Sequence, residues 1–359
     1  MTRFLHTADW HIGRACRFGP DSPAIPAEVR LQTARRIIEQ ANERQVDFIL
    51  IAGDLFQSAD LERTAVRDLV ELLGTSKSPI AVIPGNHDPM RPGSLWSRTE
   101  WQSRPENVLF LSTAQTWSPS QNVAVFPCPI TQKAQFTDPT ESIPTRTPGD
   151  KQIRIGLAHG SIGSVPDANF PIAHDRPQQA GLDYLALGDW HSTRILDRAA
   201  YPGTPEPTNY KEKSAGNVLL VEIEQAGAQP KVEAFPVAQL HWHDFEESIR
   251  DEIDAEKLVQ QLKALGPPAS LVLSVSLQFA PSLPAAAVSQ IEGLKQDLER
   301  TCPHLAWKQD RKALLDAHEL IPEGVLRRIY ENLLAEADES DEHKAAALDW
   351  MADIAEAGQ

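Results

Sequence analysis

The sequence has 359 residues, 41% apolar and 23% charged, with a formal net charge of −16; at ~150 residues per domain, that length suggests about two domains. No apolar run approaches the ~18 residues of a membrane span, and the acidic total argues against anionic membranes and, more mildly, against a protein that holds nucleic acid by its phosphates. Cys16, Cys128 and Cys302 lie far apart with no C-x-x-C spacing, and the start "MTRFLHTADWH" holds no apolar signal core, which disfavours a disulfide framework and predicts a cytoplasmic protein.

Residues 3–8 read as a short strand, followed by a Gly- and Pro-rich loop. A helix is predicted over 28–45, where Ala34, Ile37, Ile38 and Ala41 recur at helical spacing. "VDFILIAGD" is an apolar run that stops at Gly-Asp, as a buried parallel strand does. A second helix is expected over 60–74, then a strand in "SPIAVIPGNHD". Strand and helix alternate in βαβ order, so the fold class is α/β. Shorter strands are expected near 107–111 and 122–127. Residues 127–148 carry five prolines and no periodicity and read as an exposed loop. Strands resume in "QIRIGLAHG", "LDYLALGDWH", "NVLLVEIE" and "KVEAFPV".

Near residue 240 the pattern changes. Helices are predicted over 254–265 and 284–300, flanking an alternating strand at 271–279, which suggests a small α+β domain. Two further helical patterns cover 322–336 and 341–356. The expected boundaries are 1–237 for a first domain, 238–336 for a second and 337–359 for a terminal helix.

Five short stretches share one design: "TADWHIG", "IAGDLF", "IPGNHD", "LAHGS" and "LGDWHS". Each follows an apolar strand and offers Asp, Asn or His. Alone, each reads as an ordinary polar turn. In series, they are expected to converge on the carboxyl edge of one open sheet. Asp9 and His11 are two apart, as are Asp189 and His191, so each pair points the same way in extended chain. Asp54 can bridge two cations, Asn86 offers an amide oxygen and His159 an imidazole. Oxygen and nitrogen donors without thiolate suit manganese, iron or zinc better than calcium. Seven ligands suit two shared sites, the usual device for phosphoester hydrolysis. His87, beside Asn86, could then donate a proton to a leaving oxygen, with Asp88 orienting it.

These stretches resemble, in order, the D-x-H, G-D, G-N-H-D/E, G-H and G-H-x-H motifs of the calcineurin-like metallophosphoesterase superfamily. "FLHTADWHIGR", "IAGDLF" and the "YPGTPEP" that follows "LDYLALGDWH" are most similar to the SbcD group, nuclease subunits of bacterial double-strand-break repair complexes. The motif-bearing resemblance covers about residues 1–237, and the layout of 240–335 is similar to the capping domain of those nucleases. The resemblance implies a four-layered αββα sandwich and an exonuclease or endonuclease acting on DNA. It implies two divalent cations, with manganese favoured and magnesium, iron or zinc as alternatives. Asp9, His11, Asp54 and His191 would hold one cation, and Asp54, Asn86, His159 and position 189 the other. His87 would be the catalytic acid. The implied partner is an SbcC-like ATPase with a long coiled coil.

Two residues depart from the pattern: Asp189 stands where histidine is usual, and Gln57 follows "GDLF" where His or Asp is frequent. The acidic total keeps two other readings open, a phosphodiesterase or phosphatase of nucleotides and other small phosphoesters, and a non-catalytic subunit that binds DNA ends or an ATPase. The stripe Val325, Leu326, Ile329, Tyr330, Leu333 and Leu334, with Leu348, Met351 and Ala355, suits either packing on the second domain or docking of a partner's coiled coil. Leu95, Trp96 and Trp101, with the helix at 60–74, would pair subunits in a homodimer.

Overall fold

The computed structural model describes residues 1–16, 25–163, 169–280, 283–310, 328, 329 and 332. The expected helices over 322–336 and 341–356 therefore lie outside the described residues, apart from Arg328, Ile329 and Asn332.

The chain divides into Met1–Gln239 and a second unit that begins at Leu240. In the first unit, β1 (Thr2–Thr7), α1 (Glu28–Arg44), β2 (Phe48–Ala52), α2 (Arg63–Leu73), β3 (Ile80–Ile83), α3 (Thr99–Gln102) and β4 (Val108–Phe110) come first. β5 (Trp117–Ser120), β6 (Val123–Cys128), β7 (Ile153–His159), β8 (Ser161–Ile162), β9 (Pro171–Ile172) and α4 (Arg176–Ala180) follow. β10 (Tyr184–Gly188), β11 (Arg194–Ile195), β12 (Ala199–Tyr201), β13 (Asn217–Ile223) and β14 (Lys231–Pro236) complete it.

These strands build two six-stranded sheets, ordered β14-β13-β1-β2-β3-β4 and β11-β12-β10-β7-β6-β5, with β8 and β9 as a small separate pair. β1 to β4 run parallel, as do β6, β7, β10 and β12. Such strands bury both faces, which is why "FILIA" in β2 is apolar at every position and buried at every position. Phe4, Phe48, Leu50 and Val221 of the first sheet meet Val125, Ile155, Leu157 and Tyr184 of the second in an inner core. The outer face of the first sheet packs on α1 and α2 through Ile37, Ile38, Leu69 and Leu73. The outer face of the second packs on Ile143, Ala180 and Leu182.

The layer order is αββα. Its fourth layer is thin, because α4 has only five residues. Much of that layer comes from the proline-rich stretch after β6. The stretch is not simply the exposed loop that its sequence predicts, since Ile130, Thr140 and Ile143 are buried. Prolines remove backbone donors without preventing burial of the apolar residues between them.

One part of the expected homodimer surface is corrected as well. Leu95, Trp96 and Trp101 are 2%, 1% and 0% exposed and belong to the chain's own core. Trp96 stacks on Phe110, and both indoles meet Phe56 edge-on. These side chains offer nothing to a second copy.

The second unit holds β15 (His241–Ile249), α5 (Glu252–Ala264), β16 (Leu271–Phe279), α6 (Ala285–Thr301) and β17 (His304–Asp310). The sheet order β15-β16-β17 is parallel throughout, so this is a βαβαβ unit with sequential crossovers. β15 and β17 are mixed polar and apolar edge strands, which hid them from the apolar pattern. Leu273, Val275 and Leu277 of β16 pack with Leu258, Leu262, Ile291 and Leu298 of the helices.

Leu50 is fully buried between the two large sheets. Leu50→Ala should therefore cost about 2–5 kcal/mol. A urea unfolding midpoint that stays unchanged would refute the packing described here.

Candidate metal centre

Parallel strands place their following turns at one end. Three of the motif turns leave the first sheet, after β1, β2 and β3, and two leave the second, after β7 and β10. The five therefore do not share one sheet edge, as the sequence suggests. They meet because the two sheets are stacked with these ends together. Backbone bonds lock them: Asp9 N–H donates to Gly53 O at 3.1 Å, His11 N–H to Asp54 O at 3.0 Å and Gly160 N–H to Gly188 O at 3.1 Å. One link crosses between the sheets, from His159 Nδ1 to Ala52 O at 2.8 Å.

The turns are strained where the chemistry lies. Asp9, His11, Asp54 and Asp189 have φ of 54°, 47°, 51° and 97°. Non-glycine residues there cost on the order of 1–3 kcal/mol each and persist only when their surroundings hold them. Two glycines are required by close approach. A Cβ on Gly85 would lie 2.2 Å from Asp54 Oδ1, and one on Gly188 would lie 2.0 Å from Ala52 O.

All seven expected ligands are brought together. His11 Nε2 is 3.1 Å from His191 Nε2 and 3.9 Å from Asp54 Oδ2. His159 Nε2 is 3.6 Å from Asp54 Oδ1, 3.7 Å from Asp189 Oδ1 and 3.0 Å from Asn86 Oδ1. Asp189 N–H donates to both Asp9 oxygens at 3.2 Å, and the Ser161 hydroxyl donates to Asp189 Oδ2 at 3.1 Å. Three overlapping triads, Asp9/His11/His191, His11/Asp54/His87 and Asp9/Asp54/His159, each gather donor atoms within 4.8 Å.

The donor set fits divalent cations. Among the described residues no lysine or arginine pairs with Asp9, Asp54 or Asp189, and buried carboxylates need compensation. His159 Nδ1–H is committed to Ala52 O, and His191 Nδ1–H to Glu212 Oε1 at 2.7 Å. Both imidazoles then aim their Nε2 lone pairs inward, the arrangement expected of metal-binding histidines. The Asn86 amide oxygen likewise faces the Asp54 oxygens and His159 Nε2, all acceptors. Either the amide turns to donate, or a cation lies between these lone pairs.

Without a cation, protons do that work. Burial raises Asp9, against the pull of His159 and His191. Burial alone would lower His159, but Asp54, Asp9 and Asp189 outweigh it and raise the imidazole to about 9. For His191 too, burial is outweighed by the bond to Glu212, so its value rises. His11 falls well below the usual range through burial and the neighbouring His191 and Arg30 charges. It stays neutral and ready to ligate.

His87 stands beside this cluster. Its ring meets His11 edge-on at 4.9 Å, and its backbone N–H donates to Asp54 Oδ1 at 2.8 Å. Its Nδ1 lies 3.2 Å from Gln57 O and 3.2 Å from the Gln57 amide nitrogen. Asp88 does not orient it. The Asp88 carboxylate accepts from Gly85 N at 2.7 Å and Phe56 N at 2.9 Å, so it ties the turn after β2 to the turn after β3. Burial and the Asp54 charge raise its pKa. The orienting contact falls instead to Gln57.

Two supports lie outside the five motif turns. Glu212 accepts from His191, from Thr208 N and Oγ1 at 2.6 Å, and from Asn209 Nδ2 at 2.8 Å. It lies in the aperiodic "TNYKEKS", where nothing marks its single acid as a partner of His191. Thr204, in "YPGT", donates through Oγ1 to Asp9 O at 2.8 Å and through N–H to His191 O at 3.0 Å.

An αββα sandwich with clustered Asp, His and Asn where its parallel strands end defines a metal-dependent hydrolase class. Residues 2–171 match the Calcineurin-like phosphoesterase family. Asp189 and His191 lie beyond the matched stretch and join the site by geometry. The chain is similar to the uncharacterized metallophosphoesterase YhaO of Bacillus subtilis strain 168, 28% identical over 239 residues. It is also similar to the DNA double-strand break repair protein Mre11 of Methanopyrus kandleri, at 26% over 234 residues, and to the SbcD subunit of the nuclease SbcCD of Escherichia coli K12, at 24% over 273. These alignments cover 61%, 58% and 58% of this chain and 57%, 50% and 62% of the relatives. The chain thus spans about half to three-fifths of their length. Among solved structures, TT1561 of Thermus thermophilus aligns with a TM-score of 0.40 at 14% identity, over 66% of this chain and 99% of that one.

Two outcomes are expected. Below about pH 9 the His159 imidazole holds a proton that an entering cation must displace. Calorimetric titration with manganese(II) should therefore show affinity rising from about pH 6 to pH 9, with proton release; pH-independent binding would contradict the protonated cluster. Glu212→Ala should weaken binding of one cation about 10–100-fold while the circular dichroism spectrum is retained.

Proposed function

We propose that this chain is a two-metal phosphodiester hydrolase acting on DNA, a nuclease of the SbcD and Mre11 kind that works with an SbcC-like coiled-coil ATPase. The observation that carries the reading is the convergence of three carboxylates, three imidazoles and one amide around one point, with His87 beside them. Supporting it, the curated relatives include proteins named for DNA double-strand-break repair and for SbcCD nuclease. Asp9, His11, Asp54 and His191 would hold one cation, and Asp54, Asn86, His159 and Asp189 the other. Bound divalent cations, manganese above all, supply Lewis acidity to the phosphate and lower the pKa of water.

The chain's own residues do the rest. Asp54 lies between the two ligand groups and neutralises both. Glu212 and Ala52 O hold His191 and His159 in the tautomer that keeps Nε2 free. His87, whose Nδ1 lies 3.2 Å from Gln57 O, delivers the proton to the leaving oxygen. A dead binding subunit would have no need of Asn86 and His87 together.

The net charge of −16 favours a second reading, hydrolysis of nucleotides or other small phosphoesters. One assay separates the two. With manganese, linear duplex DNA, single-stranded DNA, a cyclic nucleotide and an aryl phosphodiester are offered to the protein and to His87→Ala. The nuclease reading expects DNA cleavage, with turnover lowered about 10²–10⁴-fold in the variant. Turnover of small esters alone supports the second reading, and no turnover at all supports a non-catalytic subunit.

A further inference from the structure

A cavity of about 390 Å³ opens beside the metal centre. Asn86, His87, Gln57, Asp60, Arg91 and Lys133 are among the residues that line it. None of the other six metal-ligand candidates lines it, so it lies on the side of His87, the proton donor. In the phosphodiesterase reading, on which this inference rests, that is where the leaving half of the substrate goes. The volume falls in the range of about 300–1,000 Å³ typical of small-ligand pockets, and is large enough for one nucleotide unit.

The walls are built rather than incidental. The Arg98 guanidinium donates to Leu61 O at 2.5 Å and to Ala59 O, fixing the stretch that carries Ser58, Ala59 and Asp60. Trp96 Nε1 donates to Asp88 O, pinning the stretch after His87. Met90 N–H donates to Ile130 O at 2.8 Å, which brings the segment carrying Arg91 beside the one carrying Lys133, 42 residues later.

Arg91 and Lys133 are exposed, and neither forms an ion pair among the described residues. In a chain with 50 acidic and 34 basic residues, two exposed cations without an ion pair stand at one cavity, where the lining acids are the exposed Asp60 and the buried Asp88, whose carboxylate is already taken by Gly85 N and Phe56 N. Two cations beside a proton donor, at nucleotide scale, call for an anionic group on the leaving alcohol. We infer that the cavity lined by Arg91, Lys133 and His87 receives the leaving nucleotide of the substrate through a second phosphate, one not being cleaved.

The test compares the dinucleotide TpT with its terminally phosphorylated forms pTpT and TpTp, and with bis(p-nitrophenyl) phosphate, under manganese. In the native protein one phosphorylated dinucleotide should exceed TpT in kcat/KM by about tenfold. In Arg91→Gln/Lys133→Gln that ratio should fall towards one. A binding arm needs no turnover: thymidine 3′,5′-bisphosphate, titrated calorimetrically, should bind the double variant about tenfold more weakly than the native protein. Equal kcat/KM for all three dinucleotides, or equal bisphosphate affinity in both proteins, would overturn the inference. If even bis(p-nitrophenyl) phosphate is not hydrolysed, the phosphodiesterase reading fails, and the binding arm still decides whether the cavity takes a second phosphate.

Discussion

The constraint on which this molecule turns is uncompensated negative charge in a buried place. Asp9 and Asp54 are buried and Asp189 is 24% exposed at its side chain, all within reach of the same imidazole, with no arginine or lysine to pair them among the described residues. A fold tolerates that only if something positive arrives. Protons serve in its absence, which is why Asp9 and His159 hold protons more tightly than isolated groups would. Divalent cations serve better, because each meets several lone pairs at once.

That requirement explains features that otherwise look costly. Four residues of the cluster take left-handed backbone, a sharp reversal at the strand ends. Gly85 and Gly188 leave space that any side chain would fill. The inner core of Phe4, Leu50, Leu157 and Tyr184 holds the two sheets in the register that lets His159 reach Ala52. Stability of the sandwich and geometry of the site are thus one problem. A shift of either sheet would strain the bonds that cross between them, His159 to Ala52 O and Asp189 N–H to Asp9.

Much of this was legible in the sequence because it is written in short-range patterns. Apolar runs that end in Gly-Asp, Gly-Asn-His-Asp or Ala-His-Gly mark both a buried parallel strand and the polar turn that follows it. Relations between distant segments were not legible. Nothing in "LALGDWHST" says that its strand belongs to a different sheet from "IAGDLF". Glu212 supports His191 from 21 positions further along the chain, beyond β11 and β12. Asp88 adjoins His87 in sequence, yet its side chain turns to Gly85 N and Phe56 N, while Gln57, 30 residues away, takes the contact. β15 and β17 were missed because edge strands need no apolar run. Trp96 and Trp101 look like surface anchors in sequence, and only the packing against Phe56 and Phe110 shows them to be core.

Asp189 is the residue at which pattern and physics diverge. Where the resembling family has histidine, an aspartate adds a charge to a cluster already short of cations. The structure shows how it is held: its backbone N–H donates to both oxygens of Asp9, and Ser161 donates to its carboxylate. The first contact matters most, because an N–H pointing at Asp9 offsets part of the charge that Asp189 introduces. It requires φ of 97°, which histidine or aspartate alike would adopt only under constraint. The strained turn therefore belongs to the position rather than to the side chain. In the proposed two-cation centre, aspartate at that place would make the second half harder and more anionic and shift its affinity towards cations that prefer oxygen.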